Sequence, residues 1–152
     1  MAFPLNKFQS QKTPFYYYDK EILCQTLKLV TEKQRQYGYH VHFAVKANAN
    51  PLVLNEIREA GLGIDCVSGN EVQCALENGF DANKIVFAGV GKADWEIKLG
   101  LEAGIQCFNV ESLPELEIIN ELAGELNKVA NVALRINPNV DAHTHSYITT
   151  GM

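Results

Sequence analysis

Apolar residues along this chain alternate between two periods. Short runs rich in β-branched and aromatic residues occur at Val41–Val45, Gly63–Val67, Lys84–Ala88, Gln106–Val110 and Asn131–Ile136, with centres about 21 to 26 residues apart. Runs of this length and composition read as strands. Between them the spacing changes to that of helices, each closed by a glycine or a polar turn. The pattern predicts helices from Pro51 to about Ala60, from Asn70 to Asn78 (Val72, Ala75 and Leu76 inward) and from Ala93 to Ala103, which carries Trp95 and Leu99. Ser112 is a predicted N-cap for a helix with Pro114 and Glu115 in its first turn, reaching about Glu125. An earlier helix, Asp19 to about Tyr37, carries Ile22, Leu23, Leu27 and Val30.

Regular strand–helix alternation argues for α/β architecture with parallel strands and right-handed crossovers. Two closures satisfy it, an open doubly wound sheet and a (β/α)8 barrel. The Gly-x-Gly-x-x-Gly fingerprint of a dinucleotide-binding turn is absent from the sequence, which favours the barrel. Gly89 and Gly91 after the third strand form a weak phosphate-loop signal and fit a tight turn equally well.

The two-residue alternation of a strand divides each run into faces. Val41, Phe43 and Val45 oppose His42, Ala44 and Lys46; Ile64 and Cys66 oppose Asp65 and Val67; Val132, Leu134 and Ile136 oppose Ala133, Arg135 and Asn137. The aliphatic sets suit outer helices. The other sets end in charge, so Lys46, Asp65 and Arg135 fall at or near strand C-terminal ends, where barrel active sites are built. A lysine closing an apolar strand is expected to lose hydration, which favours the neutral, nucleophilic amine that attacks carbonyls. A solvated strand-end lysine is the plainer alternative.

Composition bounds the rest. The chain has 152 residues, 47% of them hydrophobic, and a formal net charge of −5. That balance suits a globular protein and argues against a broad nucleic-acid-binding face. No apolar run reaches the ~18 residues of a membrane span. The first residues lack the shape of a signal peptide, and the expectation is a soluble, cytoplasmic protein. Cys24, Cys66, Cys74 and Cys107 show no metal or redox spacing and read as buried free thiols. His40 with His42, and His143 with His145, could each chelate as a pair, but neither has a clear third ligand, so no metal site is predicted.

The segment Phe43-Ala-Val-Lys-Ala-Asn48 resembles the cofactor-lysine motif of pyridoxal-phosphate enzymes with an alanine-racemase-like barrel. Within that group the chain is similar to the N-terminal part of the diaminopimelate decarboxylase family. The resemblance runs through Thr13–Asp19, Gly61–Glu71, Gly89–Asp94, Phe108–Ser112 and Arg135–Gly151, nearly the whole chain. It implies a TIM-like (β/α)8 barrel of which about five β/α units are present. Residues 1–38 would form a leader, in which Phe15–Tyr18 adds a strand to a second β-domain, and residues 39–152 a partial barrel. It further implies pyridoxal 5'-phosphate held as a Schiff base by Lys46, with Asp65, Arg135 and Ala44 lining the cofactor and Glu71 at a neighbouring acidic position. The implied reaction is decarboxylation of meso-2,6-diaminopimelate to L-lysine by a homodimer with shared active sites, binding neither nucleic acid nor membrane. Alternatives are an ornithine/arginine-type decarboxylase, an amino-acid racemase or a non-enzymatic pyridoxal-phosphate carrier. A complete barrel takes about 250 residues. The resemblance implies a phosphate loop, a group facing the pyridinium and substrate-binding residues beyond Met152, and with its sheet edges uncovered the chain alone is expected neither to fold stably nor to catalyse.

Overall fold

The structure, a computed structural model, describes residues 3–137. His143, His145 and the Asp141–Gly151 segment lie outside the described residues. In chain order the elements are α1 (Leu5–Phe8), α2 (Lys20–Tyr37), β1 (His42–Ala44), α3 (Pro51–Glu59), β2 (Gly63–Cys66), α4 (Gly69–Glu77), β3 (Ile85–Phe87), α5 (Asp94–Ala103), β4 (Cys107–Val110), α6 (Leu113–Glu125) and β5 (Val132–Leu134). Helix starts follow local chemistry. The Asp19, Asn50, Ser68 and Ser112 side chains accept from first-turn N–H groups of α2, α3, α4 and α6. Helices α2 and α5 end on left-handed Gly38 and Gly104.

The five strands are all parallel and lie in the order β1-β2-β3-β4-β5. A doubly wound sheet reverses its strand order at a switch point, and this sheet never does. A sheet that always advances in one direction through right-handed crossovers places every connecting helix on the same side. This is an arc of a barrel wall.

The register sorts residues onto two faces. Phe43, Ile64 and Ile85 are paired across the sheet, as are Cys66, Phe87, Phe108 and Val132, and this face carries the helices. Ile64, Cys66, Ile85 and Phe87 there are fully buried. The opposite face carries the row Ala44, Asp65, Val86, Cys107, all half-buried along the concave side. At the N-terminal end of that face His42 meets Gln106, Nε2 to Oε1 at 3.0 Å, over Gly63.

Several expectations need correction. Every strand is shorter than its apolar run, and β1 stops at Ala44 because Val45–Ala47 form a 3-10 turn. The Val132, Leu134 and Ile136 face is exposed, since no helix among the described residues covers it. Trp95 of α5 is also exposed, its ring edge lying over Gly69. Only Cys66 is a fully buried thiol; Cys24, Cys74 and Cys107 are half-buried. The strand expected of Phe15–Tyr18 would pair with a second β-domain that the described residues do not include; within them the Phe15 and Tyr17 rings lie tilted and edge-on against Phe8, at 5.5 and 5.0 Å between centroids. A four-residue helix, α1, was not expected.

Gly63 is the tightest backbone position of the sheet. A Cβ there would stand 2.3 Å from His42 Cδ2 and 2.8 Å from the Lys84 carbonyl oxygen. Gly63→Ala therefore lowers stability by about 1–3 kcal/mol, read as a fall in Tm of the intact protein; an unchanged Tm would refute the packing described.

Candidate functional site

The C-terminal ends of the strands and the loops after them form one face of the arc, where barrel enzymes place their chemistry. Lys46 sits there, one residue into the 3-10 turn that follows β1. The turn is pinned at both ends. Val45 is buried beneath it, the Asn48 amide N–H donates to the Val45 carbonyl at 2.9 Å, and the Asn48 side chain accepts from the Asn50 amide at 2.9 Å. Asn50 then caps α3. Lys46 itself is exposed, so the loss of hydration expected from a strand-closing position is not found; the early turn lifts its side chain clear of the sheet.

Asp65 lies on the concave face of β2, paired in register with Ala44. Its Oδ1 is buried and has no hydrogen-bond partner among the described residues. Burial holds the carboxyl above its ordinary value, while the Lys46 and then the His42 charge pull the other way. No ion pair to Asp65 forms among the described residues. An unpartnered buried carboxylate oxygen is costly, and a donor from a bound molecule would satisfy it.

Arg135 follows β5 and is held by Glu111, Nη1 to Oε2 at 3.0 Å. It does not pair with Asp65, so a direct ion pair between these two residues is not formed. Glu71 has a structural task. Its carboxylate accepts from the Val67 amide at 2.7 Å, while Ser68 Oγ accepts from the Glu71 amide, an arrangement that caps α4. Glu96 and Glu115 take the same third helical position in α5 and α6, receiving the amides of Ala93 and Glu111.

Sequence reasoning missed Lys92. Its side chain is 1% exposed and its Nζ donates to the Glu115 carboxylate at 2.6 Å and to the carbonyls of Asn109 and Gly89 at 2.8 and 2.9 Å. Nothing in the sequence marks it, because lysine is among the residues least often buried. With all three protons engaged it is not a free nucleophile. The weak phosphate-loop reading of Gly89 is also answered within the chain. Its N–H donates to Glu111, and its φ of +114° with the Val67 carbonyl 3.1 Å from a would-be Cβ explains the glycine.

The description "Pyridoxal-dependent decarboxylase, pyridoxal binding domain" matches residues 24–152. The chain belongs to this family. Diaminopimelate decarboxylase of Bacteroides thetaiotaomicron is 65% identical over 151 residues, covering 99% of this chain and 39% of the relative. Diaminopimelate decarboxylase of Helicobacter pylori, solved in complex with L-lysine, is 41% identical with a TM-score of 0.88 over 97% of this chain and 38% of that one. The enzyme of M. jannaschii is 38% identical with a TM-score of 0.81, covering 93% and 34% respectively. The chain thus spans well under half the length of these relatives.

A pyridoxal-dependent decarboxylase needs a primary amine at the strand ends and polar groups left open beside it. The exposed amine of Lys46 and the unsatisfied Oδ1 of Asp65 fit that need, and the residues present suit the cofactor. Among the described residues no three His, Cys, Asp or Glu side chains cluster as metal ligands would. No helix among them is long and apolar enough to cross a membrane.

The sign of the Asp65 effect is testable. A carboxyl raised above its unfolded value destabilises the fold when ionised, so stability falls as pH climbs from the ordinary carboxylate value through the raised one. Asp65→Asn removes that loss. It is expected to stabilise the protein without cofactor by about 1 kcal/mol at neutral pH, with the gain vanishing at low pH. Melts across pH check this, and a pH-independent or negative difference would contradict it.

Proposed function

We propose that this chain carries the pyridoxal-phosphate site of an enzyme that decarboxylates meso-2,6-diaminopimelate to L-lysine. The observation that carries the cofactor reading is the Lys46 amine at the strand ends beside an unpartnered Asp65 oxygen. The substrate reading rests on 65% identity to a diaminopimelate decarboxylase and on a similar structure solved with L-lysine. Residues 1–38 serve as the leader and 39–152 as the cofactor-binding arc. The family expectation extends to a cytoplasmic homodimer with shared sites.

Lys46, Asp65, Arg135 and Ala44 would hold the cofactor. When bound, pyridoxal phosphate supplies an electron sink for the pair left behind as a carboxylate departs as carbon dioxide. Lys46 would be the covalent anchor, and its exposed amine would carry a proton between substrate and solvent. The short turn fixes its Cα while the exposed stem keeps Nζ free to move. Asp65 contributes an acceptor oxygen for which no donor among the described residues competes. Ala44, with only a methyl group, leaves the concave row open next to Asp65. Arg135 brings a guanidinium whose charge is already oriented by Glu111.

Reduction with borohydride in the presence of pyridoxal phosphate, followed by peptide mass spectrometry, is expected to label Lys46 and not Lys92. Lys46→Ala should abolish both the label and lysine formation from meso-diaminopimelate, a fall of at least about 10³-fold if the lysine both anchors and transfers protons. Labelling at another lysine would overturn the cofactor assignment. Preferred turnover of ornithine or arginine, or racemisation without release of carbon dioxide, would overturn the substrate assignment.

A further inference from the structure

The charges at the ends of β3, β4 and β5 form one connected chain. Lys92 Nζ donates to Glu115 Oε1 at 2.6 Å. The other oxygen of Glu115 accepts from the backbone N–H of Glu111 at 2.9 Å. The Glu111 carboxylate in turn accepts from Arg135 Nη1 at 3.0 and 3.3 Å. Gly89 closes a loop through the same groups: its carbonyl accepts from Lys92 at 2.9 Å and its N–H donates to Glu111 at 3.3 Å. The carboxylates of Glu115 and Glu111 are 11% and 10% exposed and Lys92 only 1%, whereas the Arg135 side chain is 55% exposed. The network therefore runs from a buried cation to an open one. It holds two positive and two negative charges, so it balances without help from solvent.

We propose that Lys92 is a positioning residue for the cofactor site, acting on Arg135 through Glu115 and Glu111. The inference rests on the reading above that Arg135 faces pyridoxal phosphate. Three fixed acceptors hold the ammonium, which also lies over the Phe87 ring, 5.3 Å from its centre. A cation held from three sides orients the Glu115 carboxylate, and that carboxylate fixes the backbone from which the Glu111 side chain projects. Glu111 then presents one carboxylate to a guanidinium that would otherwise sample many rotamers in solvent. Preorganising a charged group before the ligand arrives removes an ordering cost from binding. A buried lysine thereby tunes affinity for an anionic, phosphorylated cofactor. The expected effect lies in cofactor affinity and passes only through Arg135.

A double-mutant cycle tests this on the full enzyme. The apo forms of the parent, Lys92→Met, Arg135→Ala and the double variant are titrated with pyridoxal phosphate and followed by its absorbance, and each is melted in parallel. Lys92→Met is expected to weaken binding about tenfold in the parent and less than about twofold once Arg135 is alanine, the signature of coupled residues. Its effect on Tm should be equal in both backgrounds, which separates the fold from the positioning role. Equal weakening of binding in both backgrounds, or no weakening in the parent, would overturn the inference while leaving the cofactor site intact. If Arg135→Ala alone leaves affinity unchanged, the placement of Arg135 at the cofactor fails and the inference falls with it. Should Lys92→Met not yield folded protein, Glu111→Gln breaks the last link while keeping an acceptor for the Gly89 N–H, and it must show the same dependence on Arg135.

Discussion

A parallel strand in a right-twisted sheet reaches its neighbour through a right-handed crossover, and four such crossovers in one direction leave all the helices on one side. The remaining features follow from this sorting. The helix-facing row Cys66, Phe87, Phe108 is buried in the core, while the opposite row Ala44, Asp65, Val86, Cys107 is left concave and partly open. A carboxylate on the second row can stay short of partners only because the first row holds the sheet together without it.

The site shows how stability and function divide between neighbouring residues. Asp65 bears a buried oxygen that none of the described residues satisfies, an arrangement that weakens the fold and suits a ligand. The acidic residues around it do the opposite. Glu71, Glu96 and Glu115 each receive backbone amides near a helix start, so the loops at the strand ends are held by charge-assisted hydrogen bonds. The Lys92 network extends that bracing across β3, β4 and β5. Cys66 illustrates the cost of burial with no such compensation: its thiol is pushed up to about 12, chiefly by loss of solvent, and it behaves as a core hydrophobe.

Most of the fold was legible along the chain. Every predicted helix exists with its boundaries within a residue or two, because capping side chains and stop glycines act over four residues and are written locally. Strand centres were legible for the same reason, but strand ends were not. Val45 looks like a continuation of β1, and only the packing of its side chain beneath the 3-10 turn takes it out of the sheet. The aliphatic set Val132, Leu134, Ile136 has the pattern of a buried face and is exposed, because burial requires a covering element and periodicity does not say whether one is there. For the candidate site, Lys46, Asp65 and Arg135 were picked from their positions at strand ends. Their mutual arrangement was not legible: Arg135 pairs with Glu111, and among the described residues Asp65 forms no ion pair and its Oδ1 accepts no hydrogen bond.

By itself the sequence determined the local elements, the parallel α/β alternation and the family signature around Lys46, since each depends on residues close together in the chain. The tertiary structure decided which closure the alternation takes, because strand order is a long-range property that no local period encodes. It also decided the electrostatic roles. Lys46 and Lys92 are both lysines in loops after strands, yet one stands in solvent and the other is enclosed by three acceptors. That difference arises from Glu115 and Asn109, 23 and 17 residues further along, and a charge's behaviour is set by what folding brings within hydrogen-bond reach.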